Sequence, residues 1–249
     1  MAGTTVHGRL NWHAATVAER RKETDTASTL VLDVSDWPGH VAGQHVDVRL
    51  RADDGYTAVR TYSIANAPNG DRIELSIELM PEGEVSPYLV ETVAIGGTLE
   101  VLGPIGGWFV WKPEQAEPVQ LVAGGSGIVP LMSMIRTRNA TGSKAPFRLL
   151  YSVRTPQSIY YANELQSLSR DGIEITYAYT RETPPNSPTK PERVGAALIA
   201  SAAFPADRQP TCYICGPTSF VEAVAALLTQ AGHDASRVKT ERFGPTGTG

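Results

Sequence analysis

Up to about residue 111, apolar and polar positions alternate in short bursts. Residues 26–34 (TASTLVLDV), 44–51 (QHVDVRLR), 57–65 (TAVRTYSIA) and 72–79 (RIELSIEL) follow a period of two or carry β-branched residues, the pattern of half-buried strands. Pro38-Gly39, Asp53-Asp54-Gly55 and Pro68-Asn69-Gly70 punctuate them. Short strands at this spacing predict an antiparallel barrel or sandwich. One short helix is predicted over 87–93, with Ser86 at its N-cap and Pro87 at its first position.

From Pro118 the rhythm becomes strand, helix, strand. Residues 119–123, 148–153, 173–180, 211–215 and 237–242 read as strands, and 128–138, 161–169 and 219–231 as helices. This alternation predicts a parallel sheet with helices on both faces. Residues 112–117 (KPEQAE) are polar, contain a proline and sit where the composition shifts, so they form the expected linker. The expected domains are therefore 1–113 and 114–249. Residues 182–192 (ETPPNSPTKPE) hold four prolines and are expected to be a surface loop.

Composition narrows the function. The chain has 249 residues, 41% hydrophobic and 19% charged, enough to bury a core without staples. Its net charge of −4 argues against a general polyanion binder, so neither nucleic acid nor an anionic membrane is an expected partner. Residues 1–21 lack the apolar core of a signal peptide, and the longest apolar stretch, 194–204, is far short of a membrane span. Two cysteines, Cys212 and Cys215, give neither a disulfide framework nor a four-cysteine iron–sulfur site. On a strand they point to opposite faces, a poor geometry for a redox pair. No histidine (His7, His13, His40, His45, His233) has metal-ligand spacing beside them. A cytoplasmic, monomeric protein is expected.

Candidate chemistry lies in three places. Gly124-Gly125-Ser126-Gly127-Ile128-Val129-Pro130 joins an apolar strand to a helix; glycines there admit a close ligand and the helix N-terminus favours an anion, although a plain tight turn reads the same way. It is not a Gly-x-Ser-x-Gly nucleophile elbow, because Ile128 stands at the last glycine. Arg60-Thr61-Tyr62-Ser63 sets Arg60 and Tyr62 on one face of a strand and Thr61 and Ser63 on the other. Arginine grips phosphate, tyrosine stacks on a planar ring and serine donates a hydrogen bond, though an ordinary edge strand would look alike. Gly83-Glu84-Val85-Ser86 leads into the short helix, a second potential phosphate cradle. Arg20-Arg21-Lys22 reads as a solvated strand end, and Trp108, Phe109 and Trp111 as barrel core or domain interface.

Taken in order, Arg60-Thr61-Tyr62-Ser63, Gly83-x-x-Ser86, Gly103-Pro104-Ile105-Gly106, the Gly124–Pro130 turn and Cys215-Gly216-Pro217, with Gly43-Gln44 before them, resemble the ferredoxin–NADP reductase superfamily. The resemblance covers about residues 13–244 and is to compact members without a fused iron–sulfur domain. It implies an antiparallel Greek-key β-barrel for a flavin, followed by a doubly wound parallel-sheet domain for NAD(P). Arg60, with Thr61 beside it, would hold flavin phosphates, Tyr62 lie against the isoalloxazine or ribityl chain, and Ser63 bond near the flavin N5. Ile77, Glu78 and Leu79 would pass along the ribose and adenine, while Gly83, Val85 and Ser86 close on the pyrophosphate. Gly125, Ser126 and Gly127 would hold the nucleotide pyrophosphate, Ser126 replacing the usual threonine. Cys215, with Gly216 and Pro217, would approach the nicotinamide, and Phe243 stack on the flavin with Glu241 as a proton relay. A plain last strand continuing into 245–249 is the other reading of that end.

The resemblance implies FAD over FMN. Thr180 and Arg181, reinforced by Arg154 and Arg193, imply NADPH over NADH, since a 2′-phosphate needs cations and hydroxyl donors; a solvated loop residue is the other reading of Arg181. The implied activity is hydride transfer from NADPH to FAD, with Ser63, Cys215 and Glu241 as catalytic residues, then electron delivery to a separate ferredoxin, flavodoxin, haem or molybdenum protein. The alternative is a flavin-containing docking subunit of a larger oxygenase or molybdenum-enzyme complex with little activity alone.

Overall fold

The computed structural model describes residues 11–51, 55–170 and 172–244. The Asp53-Asp54 part of one predicted turn, His7 and residues 245–249 lie outside them. Six strands build the first half: β1 (Trp12–Thr24), β2 (Ala27–Val34), β3 (His45–Arg51), β4 (Thr57–Ser63), β5 (Arg72–Glu78) and β6 (Thr98–Ile105). They form one antiparallel sheet in the order β4-β3-β6-β1-β2-β5, and a bridge between Ile64 and Leu75 brings its two edges together into a barrel. Alternation places Val46, Val48, Ile73, Leu75 and Ile77 inside, where none is more than 1% exposed.

Strand β6 was not foreseen, and of β1 only the Arg20-Arg21-Lys22 end was read as strand. In β1 the alternating segment runs into Arg20-Arg21-Lys22, which reads as surface. The Arg20 guanidinium instead donates to the Val93 carbonyl and Arg21 pairs with Glu74 at 2.7 Å, so the strand continues through the charges. In β6, Gly103-Pro104 imitates a turn. The short helix is also corrected. Its helical turn, Tyr88–Thr92, has Pro87 at the cap position, and Ser86 makes no capping bond. The Ser86 hydroxyl accepts the Met80 N–H at 3.0 Å instead.

The second half alternates β7 (Val119–Gly124), α1 (Ile128–Thr141), β8 (Phe147–Val153), α2 (Ala162–Arg170), β9 (Glu174–Tyr179), α3 (Ala196–Ala202), β10 (Thr211–Pro217), α4 (Thr218–Gln230) and β11 (Val238–Phe243). The sheet is parallel, ordered β11-β10-β7-β8-β9, so strand order reverses between β7 and β10. Helices α1 and α2 cover one face and α3 and α4 the other. Helix α3 was not predicted; it is seven residues of mostly alanine behind the proline-rich loop, too short to show a period. Cys212 packs on the α4 side and Cys215 on the α1 side, opposite faces as expected.

The halves share packing. Ala27, Ala42, Ala65, Phe109 and Trp111 of the first half join the core under α1 and α2. Arg136 of α1 makes two bonds to Glu164 (2.8 and 2.6 Å), one to Glu74 (3.1 Å) and one to the Ala65 carbonyl (3.0 Å). The Tyr161 and Ser76 hydroxyls are also hydrogen-bonded. Trp108 departs from expectation: it is 62% exposed, with the Lys239 ammonium 5.3 Å from its ring, because the preceding Gly106-Gly107 carries it out of the interface that holds Phe109 and Trp111.

Candidate functional site

An open parallel sheet offers a ligand crevice where its strand order reverses. Here the carboxyl ends of β7 and β10 meet as bare backbone. A Cβ on Gly124 would lie 2.7 Å from the Phe220 ring, and one on Gly216 would lie 2.9 Å from it and 3.1 Å from Gly124 Cα. Gly127 is tighter still, since a Cβ there would sit 2.1 Å from the Cys215 carbonyl oxygen. Only glycine lets the start of α1 reach β10 so closely. Gly125 has φ +54° with open space around it, so its role is backbone conformation.

Above this junction lies a cleft of about 250 Å³. Gly125, Ser126, Arg154, Thr180 and Pro217 line it from the second half, and Glu78 from the barrel. With Gly124, seven of the residues named from sequence thus meet in one place. Thr24, Thr26, Ser152, Ser158, Tyr160 and Phe220 also line it and were missed. Ser152 lay within the strand predicted over 148–153, but Thr24 and Thr26 sit at the β1–β2 turn, whose place beside the cleft no local pattern shows. Arg181 follows β9 with its N–H bonded to the Arg154 carbonyl at 2.9 Å. Arg154 and Arg181 are exposed, and no carboxylate among the described residues pairs with either. Arg193 is exposed and does not line the cleft.

On β4, Arg60 reaches Glu84 at 3.0 Å, tying the strand to the turn that holds Gly83 and Ser86. Tyr56 donates to the same carboxylate at 3.0 Å. The Gly83 N–H bonds the Met80 carbonyl at 2.8 Å, and Ser86 closes the turn. Tyr62 packs against the barrel core, and burial pushes its phenol up to about 12. Thr61 turns the other way and donates to Asp47. Ile77 and Val85 are barrel core at 1% exposure each, so only their backbone could meet a ligand. Leu79 is half-buried, its N–H on the Thr26 carbonyl at 2.7 Å.

Ser63 faces the second half. It is buried, and its hydroxyl donates to Glu241 Oε1 at 3.3 Å. Burial pushes the Glu241 carboxyl up to about 7, against the opposing pull of the Ser63 hydrogen bond. Cys215 pairs with Glu241 in the β10–β11 register, and Pro217 with Phe243. The Cys215 thiol is sealed, and burial followed by the Glu241 charge drives its pKa well above the usual value, so it stays a neutral thiol. Phe243 packs half-buried against the α1-side core.

The residues present fit the two groups that the resemblance implies. The Arg60–Glu84 pair is exposed on both sides (39% and 52%) and is worth about 0–1 kcal/mol, weak enough for a phosphate to displace. The glycine junction, with Arg154 in the same cleft and unpaired among the described residues, fits a second anion; Arg181 follows β9 but does not line the cleft. Among the described residues no cluster of His, Cys, Asp or Glu could hold a metal ion, and no helix is long and apolar enough to cross a membrane.

Comparison with known proteins agrees with this division of labour. Residues 15–110 match the oxidoreductase FAD-binding domain and residues 121–226 the oxidoreductase NAD-binding domain. The glycine betaine monooxygenase reductase subunit of Chromohalobacter salexigens is 30% identical over 208 residues, 82% of this chain and 56% of that protein. The ferredoxin–NAD(P)+ reductase component of the naphthalene 1,2-dioxygenase/salicylate 5-hydroxylase systems of a Ralstonia species is 27% identical over 82% of this chain and 61% of its own. This chain therefore spans only about three-fifths of such relatives. The crystal structure of the Amycolatopsis cytochrome P450 reductase GcoB superposes with a TM-score of 0.82 at 25% identity, over 98% of this chain and 74% of that one.

Proposed function

The chain belongs to the ferredoxin–NADP reductase superfamily, and on that premise we propose that it oxidises NADPH at a bound FAD and passes the electrons to a separate protein. Bound FAD would supply the conversion of a hydride into single electrons. Arg60 and the turn of Gly83 and Ser86 would grip its phosphates, with Tyr62 beside its ring system. Ser63 and Glu241 would present a hydroxyl and a carboxyl able to hold or yield a proton near neutral pH, and Cys215 a neutral, packed wall. The Gly124–Gly127 turn would take the nucleotide pyrophosphate. The observation that carries the reading is the cleft itself, where bare glycines, Ser126 and Arg154 face Glu78 of the barrel.

NADPH is favoured over NADH because Arg154 and Arg181 stand without a carboxylate partner among the described residues, next to Thr180, whose hydroxyl donates to the Val153 carbonyl at 3.3 Å and would turn to a 2′-phosphate. The acceptor would be a ferredoxin, flavodoxin, haem or molybdenum protein. The names of the relatives, reductase components of oxygenase systems, also favour a second reading: a docking subunit of an oxygenase complex with little activity alone. We place the division between the flavin and nucleotide domains at 113/114, within the segment after the buried Trp111. An anaerobic absorbance spectrum tests the proposal. Flavin bands that bleach faster with NADPH than with NADH support it; bands that stay unbleached favour the docking subunit; a protein that takes up no flavin overturns both.

A further inference from the structure

The loop that follows β8 supplies three residues of the cleft, Arg154, Ser158 and Tyr160. Its first end is held within the second half, where the Arg154 carbonyl accepts the Arg181 N–H at 2.9 Å. Its far end, Tyr161, is buried and has φ +57°. A bulky residue at positive φ is uncommon, and such a backbone persists only where its surroundings over-determine it. The loop is therefore pinned at Tyr161.

The pin comes from the barrel. The Tyr161 N–H donates to Glu23 Oε2 of β1 at 3.1 Å. The Thr29 hydroxyl of β2 donates to Glu23 Oε1 at 2.6 Å. Each hydroxyl has one proton to give. Thr29, with its proton on Glu23, accepts from Ser76 of β5 at 2.6 Å, and Ser76 in turn accepts from the Tyr161 phenol. Both polar ends of Tyr161 thus lead to one carboxylate, the backbone directly and the ring through two hydroxyls. The period of two along β5 prepares this seam. Leu75 and Ile77 point into the barrel, while Glu74, Ser76 and Glu78 meet Arg136, Tyr161 and the cleft in turn.

We propose that Tyr161 is a positioning residue for the nucleotide: through Glu23 and Ser76 the barrel fixes the loop that carries Arg154, Ser158 and Tyr160, so the first half sets part of the nucleotide affinity of the second. The inference rests on the proposed reading of the cleft as the NAD(P) site.

Calorimetric titration of NADP+ into the full chain tests it. Glu23→Met keeps the length of the side chain and removes both acceptor oxygens, so NADP+ should bind about tenfold more weakly. Glu23→Gln loses the same charge but keeps one acceptor oxygen, so it should lose less than Glu23→Met; the difference separates hydrogen bonding from any change in the field of the cleft. Tyr161→Phe cuts only the hydroxyl arm and should weaken binding about threefold or more. Thermal unfolding of the same variants gives the contrasting readout. A merely structural pin would lower the melting temperature and leave NADP+ affinity at the parental value, and that result overturns this inference alone, as do equal losses in Glu23→Gln and Glu23→Met. A parent chain that binds no NADP+ overturns the proposed nucleotide site and this inference with it.

Discussion

The Ser63 hydroxyl, at the end of β4, donates to the Glu241 carboxyl on β11 across 3.3 Å, so the first sheet touches the last strand of the second at a titratable group. Burial holds that carboxyl at about 7, above its ordinary 4.5. A raised folded-state pKa means the native protein binds the extra proton between those values. The stabilisation is full below pH 4.5 and is lost as pH rises through 7. Glu241→Gln removes the titration. Its melting temperature relative to the parent should therefore climb between pH 5 and pH 8, by the equivalent of about 3 kcal/mol at most. A difference that does not change over that range would show that Glu241 titrates normally.

Ser63→Ala and Arg60→Ala should separate rate from retention. On the proposed reading the serine hydroxyl serves the reacting ring, so its loss should slow flavin reduction about tenfold or more while flavin stays bound. The arginine is tied through Glu84 to the turn proposed to hold the flavin phosphates, so its loss should weaken flavin retention by about 1.5–3 kcal/mol. Stopped-flow reduction and flavin content after gel filtration report the two effects. A Ser63→Ala protein reduced at the normal rate would sink the first half.

Arg181→Ala tests nucleotide choice. Loss of a charged hydrogen bond to a 2′-phosphate should raise KM for NADPH roughly tenfold or more and leave KM for NADH nearly unchanged. Equal effects on both would mean that Arg181 does not discriminate between them.

Two glycines one residue apart should behave unlike each other. Gly127→Ala drives a methyl to 2.1 Å from the Cys215 carbonyl oxygen, so α1 must move; the expected loss is about 3 kcal/mol or more. Gly125→Ala meets open space and faces only a positive φ of +54°, a cost of about 1 kcal/mol. Chemical denaturation of both variants gives the comparison, and similar midpoints would contradict the close approach of α1 to β10.

Arg136→Ala removes a cation, 18% exposed, from between two carboxylates and leaves Glu74 and Glu164 facing each other's halves without it. Breaking such a pair costs about 3–5 kcal/mol when fully buried, so about 2–3 kcal/mol is expected here. Removing Lys22 from its solvent-exposed pair with Asp25 should leave stability nearly unchanged. Thermal unfolding of both variants checks the contrast.

The readable parts of this fold were those in which local chemistry decides. β2 to β5 showed themselves by alternation, and the Gly124–Gly127 turn by glycines placed after an apolar strand. Both faces of the second sheet, with Cys212 and Cys215 apart, followed from the same period of two. β1 was hidden because only tertiary partners, Glu74 and the Val93 carbonyl, make its charges compatible with a sheet. Part of the cleft's lining was legible as residues, such as Ser126 and Arg154, but its arrangement was not. No local pattern shows that Ile77, Val85 and Cys215 turn inward, that Glu84 holds Arg60, or that Thr24, Thr26 and Tyr160 complete the cleft, because each depends on segments far apart in sequence.

The Arg60–Glu84 pair has one more consequence. Any anion arriving at Arg60 competes with a carboxylate that is already tethered there, at a local concentration that free ions in solution do not match. A lone inorganic anion, with a single contact to offer, loses that competition. A ligand carrying two linked phosphates and a long organic body brings further contacts and wins it. If a flavin phosphate binds at Arg60, Glu84 would be the group it displaces, and added sulfate or chloride should lower flavin retention less in the parent than in Glu84→Gln.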